Sequence, residues 1–263
     1  MIIKRRDLLA ATAAAAVVPA KAKDVPHPKR PVVLVHGASH GGWCWRDVRR
    51  RLQAKGLDVF TPTLTGLGER VHLRNADITL ATHITDVVNV ITWEELSGVV
   101  LVGHSLGGMV ITGVCDALKD RIAHVIYLDA AVPENGEPAF PGMKAISEGA
   151  LKEGYLMPAM PAVGLGLDEE HYAAAAAWVR RRLTDQPYPV WSGAIALKNG
   201  GSDGIARTFV QCTDPKWLPQ ENRERVKARR SDPSWVFVEK LGPHDVMITD
   251  PVWTADLIAS RAV

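Results

Sequence analysis

The chain has 263 residues, enough for one large domain or one domain with an insertion, and enough to bury a substantial core. Charged residues make up 23% and hydrophobic residues 47%, the balance of an ordinary globular protein. The formal net charge is only +2, and the basic runs at 49–51 and 180–182 are short and lie on helical stretches, so no nucleic-acid footprint is visible.

Residues 1–22 stand apart. Lys4, Arg5 and Arg6 give a positive start, an apolar stretch runs from Leu8 to Ala20, and Ala20-Lys21-Ala22 is an A-x-A cleavage site. That is the anatomy of a signal peptide, too short in its apolar part to span a bilayer. The adjacent arginines followed by Asp7, Leu8 and Leu9 resemble a twin-arginine export signal, so the mature chain is expected in the periplasm or outside the cell. Loss of four basic residues and Asp7 takes the formal charge from +2 to −1, which gives no reason to expect an anionic partner.

After a linker at 23–30, residues 31–35 read as a buried strand that ends in HGASHGGW. An amphipathic helix is expected over 43–55, closed by Gly56, then a strand at 57–61 and a glycine-bearing polar loop at 64–77. Helix 82–96 carries Ile84, Val87, Val88 and Ile91 on one face. The β-branched run 99–102 is a strand buried on both faces, and it enters Gly103-His104-Ser105-Leu106-Gly107 before a helix at 109–118. Strand, sharp turn and helix is the context that a G-x-S-x-G nucleophile requires. A further buried strand follows at 124–130.

From 132 to about 205 the pattern breaks. Five prolines fall between Pro133 and Pro161, and an alanine-rich helix follows near 169–183. This reads as an insertion that caps something. Met143, Met157, Met160, Trp178 and Trp191 either line an apolar pocket under it or form its own packing core. Regularity returns with strand 207–213, helix 219–230, strand 234–241 and a final helix from Pro251. Strands alternating with helices imply a parallel sheet, whose ligands bind at the carboxyl ends of the strands.

A serine hydroxyl needs a base, and the base needs a group to orient it. His244 follows the last strand in GPHDVM, after the serine in chain order. Leu106 and Ala38 are the expected oxyanion donors, one behind the serine at a helix start, the other in the glycine-rich loop after the first strand. That loop lacks G-x-G-x-x-G spacing, and no P-loop lysine is present. His40, His72 and His83 lie near the same loops and are read as hydrogen-bonding groups, not metal ligands. Cys44, Cys115 and Cys212 form no C-x-x-C pair and are read as buried apolar fillers. No cofactor is expected.

VLVHGASHGGWCW, TPTLTGLGERVHL, VGHSLGGM, YLDAAVP and GPHDVM together resemble the α/β-hydrolase family, over roughly residues 31–260. Within it they are similar to plant methylesterases, hydroxynitrile lyases and their bacterial esterase relatives. The resemblance implies an α/β-hydrolase fold, a mainly parallel sheet flanked by helices, with the cap inserted after the sixth family strand. It implies Ser105 as nucleophile, His244 as base, and Ala38 and Leu106 as oxyanion donors. The acid is open: Asp129 ends a buried strand where an unpaired carboxylate is costly, and Asp214 lies in the loop after strand 207–213. Asp129 is preferred, with one of the two expected within hydrogen-bonding reach of His244.

Lyases of this branch carry a threonine after the first-strand histidine and a lysine after the catalytic histidine. This chain has Gly37 and Asp245 there. The resemblance therefore implies a serine esterase acting on a small hydrophobic or aromatic ester. A carbamate or amide hydrolase on the same residues, and a ligand-binding protein on a hydrolase scaffold, are the alternatives.

Overall fold

The computed structural model describes residues 29–139, 148–213 and 220–263. The expected leader, Met143 and the alternative acid Asp214 lie outside the described residues.

Strand β1 (Val32–Val35) is buried at every position and leads through a 3-10 turn (Gly42–Trp45) into α1 (Arg46–Ala54). Next come β2 (Val59–Phe60), α2 (Leu80–Trp93), β3 (Val99–His104), α3 (Gly107–Ala117) and β4 (Ile122–Leu128). The insertion contributes β5 (Leu156–Met157), α4 (Glu169–Arg180), β6 (Gln186–Pro187) and α5 (Tyr188–Ser192). The chain closes with β7 (Ala206–Cys212), α6 (Gln220–Ser231), β8 (Trp235–Lys240), α7 (Val246–Thr249) and α8 (Pro251–Ala259).

Six strands form one sheet in the order β2-β1-β3-β4-β7-β8, and every neighbouring pair is parallel. Because successive strand residues face opposite ways, the continuous apolar runs feed two cores. Val33, Val35, Leu101, Val125, Tyr127 and Phe209 pack with α2 and α3 on one side. Val32, Leu34, Val100, Val102, Ile126 and Val210 pack with α1, α7 and α8 on the other. The three cysteines are free and buried in these cores.

Several boundaries differ from the sequence reading, each for a local reason. Helix α2 starts at Leu80 because Thr79 and Thr82 form a reciprocal capping box, with Thr79 N–H donating to Thr82 Oγ1 at 3.2 Å. The segment expected as one helix over 43–55 opens with a 3-10 turn before α1. The strand expected over 57–61 pairs with β1 only at Val59 and Phe60. The short elements β5, β6, α5 and α7 had no periodicity long enough to read.

The insertion has its own small core of Ala162, Leu165, Leu167, Ala176 and Val179. Trp178 packs against that cluster, while Trp191 packs against the α2–α3 core.

Candidate active site

Strand β3 stops at His104, and Ser105 takes φ of +53°, the left-handed region that a side-chain-bearing residue occupies only under strain. Gly107 then begins α3. The sharp reversal needs strand and helix almost in contact: a Cβ built on Gly103 would stand 2.7 Å from the Gly107 carbonyl oxygen. Ser105 is tied across to the next strand by Ser105 N–H donating to Leu128 O at 3.3 Å, and by Ala131 N–H donating to Ser105 O at 3.0 Å.

Asp129 sits one residue beyond β4, also at positive φ, +46°. Its N–H donates to Val210 O at 2.8 Å. One carboxylate oxygen, Oδ1, accepts from Cys212 N–H at 3.2 Å, and the other, Oδ2, lies 2.6 Å from His244 Nδ1. Both side chains are buried, so this is a short, water-shielded contact between a carboxylate and the ring nitrogen that carries the proton. A proton on Nδ1 makes Nε2 the accepting nitrogen of His244.

His244 arrives from the loop after β8. His104 Nε2–H donates to the His244 carbonyl at 3.0 Å, and the two rings lie 4.4 Å apart. This places the last loop against the end of the strand that carries Ser105. Burial first, then the His244 ring, push the His104 imidazole well below its usual range, so it is neutral.

The loop after β1 closes the site from the other side. A Cβ built on Gly37 would stand 2.8 Å from Ser105 Cβ and 2.9 Å from His104 Nδ1, so no threonine of the lyase kind fits there without displacement. Neither the Ala38 nor the Leu106 N–H meets an acceptor among the described residues. Ser39 N–H donates to Gln186 Oε1 at 3.0 Å, and Thr184 N–H donates to Ser39 O at 2.9 Å, which anchors the loop to the cap.

Four buried groups around this loop were not read as site residues from sequence. His36 Nδ1–H donates to Gly37 O at 2.8 Å, and its Nε2 accepts from Leu64 N–H at 3.0 Å. Burial drops its pKa to about 3. His40 faces acceptors with both nitrogens: Ala38 O at 2.7 Å and Asp245 Oδ2 at 3.0 Å. Burial opposes its charge, but the Asp245 carboxylate and these hydrogen bonds outweigh it and raise the pKa. Asp245 is fully buried; burial lifts its carboxyl, and the His40 charge and hydrogen bond overcome that and hold it below the usual carboxylate range. Its Oδ1 is 3.7 Å from His104 Nε2, so His104 is the fourth member.

The expectation that no H-x-x-x-H spacing is present is wrong, since His36 and His40 have it, but their nitrogens serve separate partners. Among the described residues no cluster of histidine, cysteine or acidic side chains is arranged to hold a metal. Of the other two loop histidines, His83 Nε2 bonds Thr65 O at 3.0 Å, and His72 lies on the 3-10 turn Gly68–Leu73.

A carbendazim hydrolyzing esterase of Nocardioides sp. (strain SG-4G) is 38% identical over 242 residues, which cover 87% of this chain and 98% of the relative. Methylesterase 3 of Arabidopsis thaliana is 34% identical over 108 residues, 40% of this chain and 41% of its own length. A solved extracellular alpha/beta-hydrolase from a Paenibacillus species, described as sharing structural and functional homology with tobacco Salicylic Acid Binding Protein 2, superposes with a TM-score of 0.73. It is 23% identical and covers 89% of this chain and 99% of its own. The model of the alpha/beta hydrolase family matches residues 32–257, and the chain belongs to that family.

Proposed function

We propose that this chain is a serine carboxylesterase in which Ser105 is the nucleophile, His244 the general base and Asp129 the acid behind it. The observation that carries this reading is the 2.6 Å contact between Asp129 Oδ2 and His244 Nδ1, beside a serine held at φ of +53°. Full-length similarity to a protein named as an esterase supports the same reaction class.

In this mechanism His244 Nε2 takes the Ser105 proton as Oγ attacks the ester carbonyl. Asp129 holds the ring in the Nδ1–H tautomer and stabilises the imidazolium that forms. The developing oxyanion is bound by the N–H groups of Ala38 and Leu106, fixed in place before the substrate arrives. His244 then protonates the departing alcohol, leaving an acyl group on Ser105. Water, deprotonated by the same ring, releases the acid.

The substrate class we propose is a small hydrophobic or aromatic ester, consistent with an apolar cap. A carbamate or activated amide is cleaved by the same steps, and the relative named for carbendazim hydrolysis makes carbendazim the second substrate to test. Export is a companion proposal, supported by Lys4-Arg5-Arg6 and the A-x-A site at 20–22. An N-terminus at residue 23 in protein recovered from the periplasm or medium is its test.

Turnover of p-nitrophenyl acetate, abolished in Ser105→Ala, tests the hydrolase reading. If wild type and variant are equally inert while both bind a ligand, the chain is a binding protein on a hydrolase scaffold.

A further inference from the structure

Two peptide planes flank the Cα of Ala38. The first carries the Gly37 carbonyl on one edge and the Ala38 N–H on the other, because a trans peptide is planar. The His36 bond to Gly37 O at 2.8 Å therefore also aims the Ala38 N–H. The second plane carries the Ala38 carbonyl, held by His40 Nδ1–H at 2.7 Å. The His36 bond thus fixes the plane that bears the Ala38 N–H, and the His40 bond, with Ser39 N–H donating to Gln186 Oε1 at 3.0 Å in the same plane, fixes the plane on the far side of the Ala38 Cα against which the first can turn.

His40 is in turn held by Asp245, 205 positions away in the chain and the immediate neighbour of His244. The His40 side chain is 2% exposed and that of Asp245 is fully buried. Trp43 stacks on the His40 ring at 5.2 Å between centroids and makes an edge-to-face contact with Trp178 of α4 at 5.0 Å. The carbonyl of His244 accepts from His104, the residue before Ser105. A continuous chain of contacts thus runs from Ala38 O through His40 and Asp245 to the backbone of His244.

We propose that His40 and Asp245 are positioning residues whose buried pair holds the Ala38 amide and the His244 ring in the register that the oxyanion intermediate needs. The inference rests on the hydrolase reading above. A buried ion pair is a poor source of stability compared with well-packed apolar side chains, but it is directional. Here the direction joins two loops that must meet around one reacting carbon, and neither residue touches that carbon. Any misplacement acts on the transition state, where the oxyanion exists, and leaves ground-state binding alone.

Two double variants test this without stranding a buried charge. His40→Leu/Asp245→Leu removes the directional link, and His40→Gln/Asp245→Asn keeps a neutral donor–acceptor pair. Rates are taken per active site titrated with a fluorophosphonate, so that loss of folded protein does not count. The apolar pair is expected to lower kcat for p-nitrophenyl acetate about 10- to 100-fold, with KM within about twofold. A trifluoromethyl ketone, whose adduct with Ser105 carries the oxyanion, loses affinity by the same factor. The amide pair restores most of both. An apolar pair with wild-type kcat per titrated site overturns the proposal, as does an amide pair equally impaired. A wild-type chain that turns over no ester overturns the hydrolase reading itself, and the positioning role with it.

Discussion

Asp129 and His244 are 115 positions apart in the chain and meet through a 2.6 Å contact between Oδ2 and Nδ1. Because Asp129 lies at φ of +46°, asparagine is the replacement that fits its backbone, being tolerant of the left-handed region. Asp129→Asn is expected to fold and to lose about 10⁴-fold in kcat for p-nitrophenyl acetate, since an amide there favours the wrong tautomer of the imidazole. Asp214→Asn is expected to keep near-wild-type activity. The opposite ranking of the two variants moves the acid to Asp214.

Gly37 faces Ser105 with no room to spare. The extra methyl of Gly37→Ala would lie 2.8 Å from Ser105 Cβ and 3.2 Å from His104 O, so Ser105 or the strand end must give way. Overpacking of this kind costs about 1–3 kcal/mol of stability. The larger effect is on chemistry: a displacement approaching 1 Å lowers kcat about 100-fold. Urea unfolding and steady-state kinetics on one preparation separate the two effects, and an unchanged kcat removes Gly37 from the list of close contacts that matter.

Much of the fold was legible because the strands are buried on both faces. A run such as VVLV at Val32–Val35 has no polar alternation, and only a covered parallel strand explains it. The Ser105 turn was legible because its glycines answer a steric demand that few other turns make. Asp129 could be named only as one of two acids, since spacing along the chain says nothing about which carboxylate faces a ring that arrives from the loop after β8. The His40–Asp245 pair was not legible at all. Each residue alone reads as an ordinary loop group, and what matters is mutual burial, which no local pattern encodes. The cap was the least readable part. Its strands are two residues each, below the length at which periodicity carries information.

The three cysteines give a prediction about reactivity. Cys44, Cys115 and Cys212 are buried and free, and burial pushes the Cys115 thiol up to about 12 and the other two well above their usual value. A thiol that is neither accessible nor ionised is a poor nucleophile. The native protein is expected to leave a disulfide reagent such as DTNB unreacted at pH 8, and to release three equivalents of chromophore once unfolded in guanidinium. Rapid reaction of one thiol in the native state identifies a site that opens locally.

Stability should fall steeply in mild acid, and histidines are a main reason. His36 has a pKa of about 3 when folded against 6.5 when exposed, because burial disfavours its charged form. Between those values the unfolded chain binds a proton that the folded chain refuses, so lowering the pH favours unfolding. For His36 alone the slope is about 1.4 kcal/mol per pH unit across that window. His104 and His83 are shifted in the same direction by burial and add to it. His40 works the opposite way. Its folded pKa is raised, so its contribution is complete below pH 6.5 and is lost as the pH climbs through the folded value. Urea midpoints measured from pH 4 to 6.5 should rise with pH, and His36→Asn should flatten that rise even if it lowers stability at pH 7. An unchanged slope in that variant means that the His36 ring takes up its proton in the folded protein, which its bond from Leu64 N–H to Nε2 does not permit without breaking.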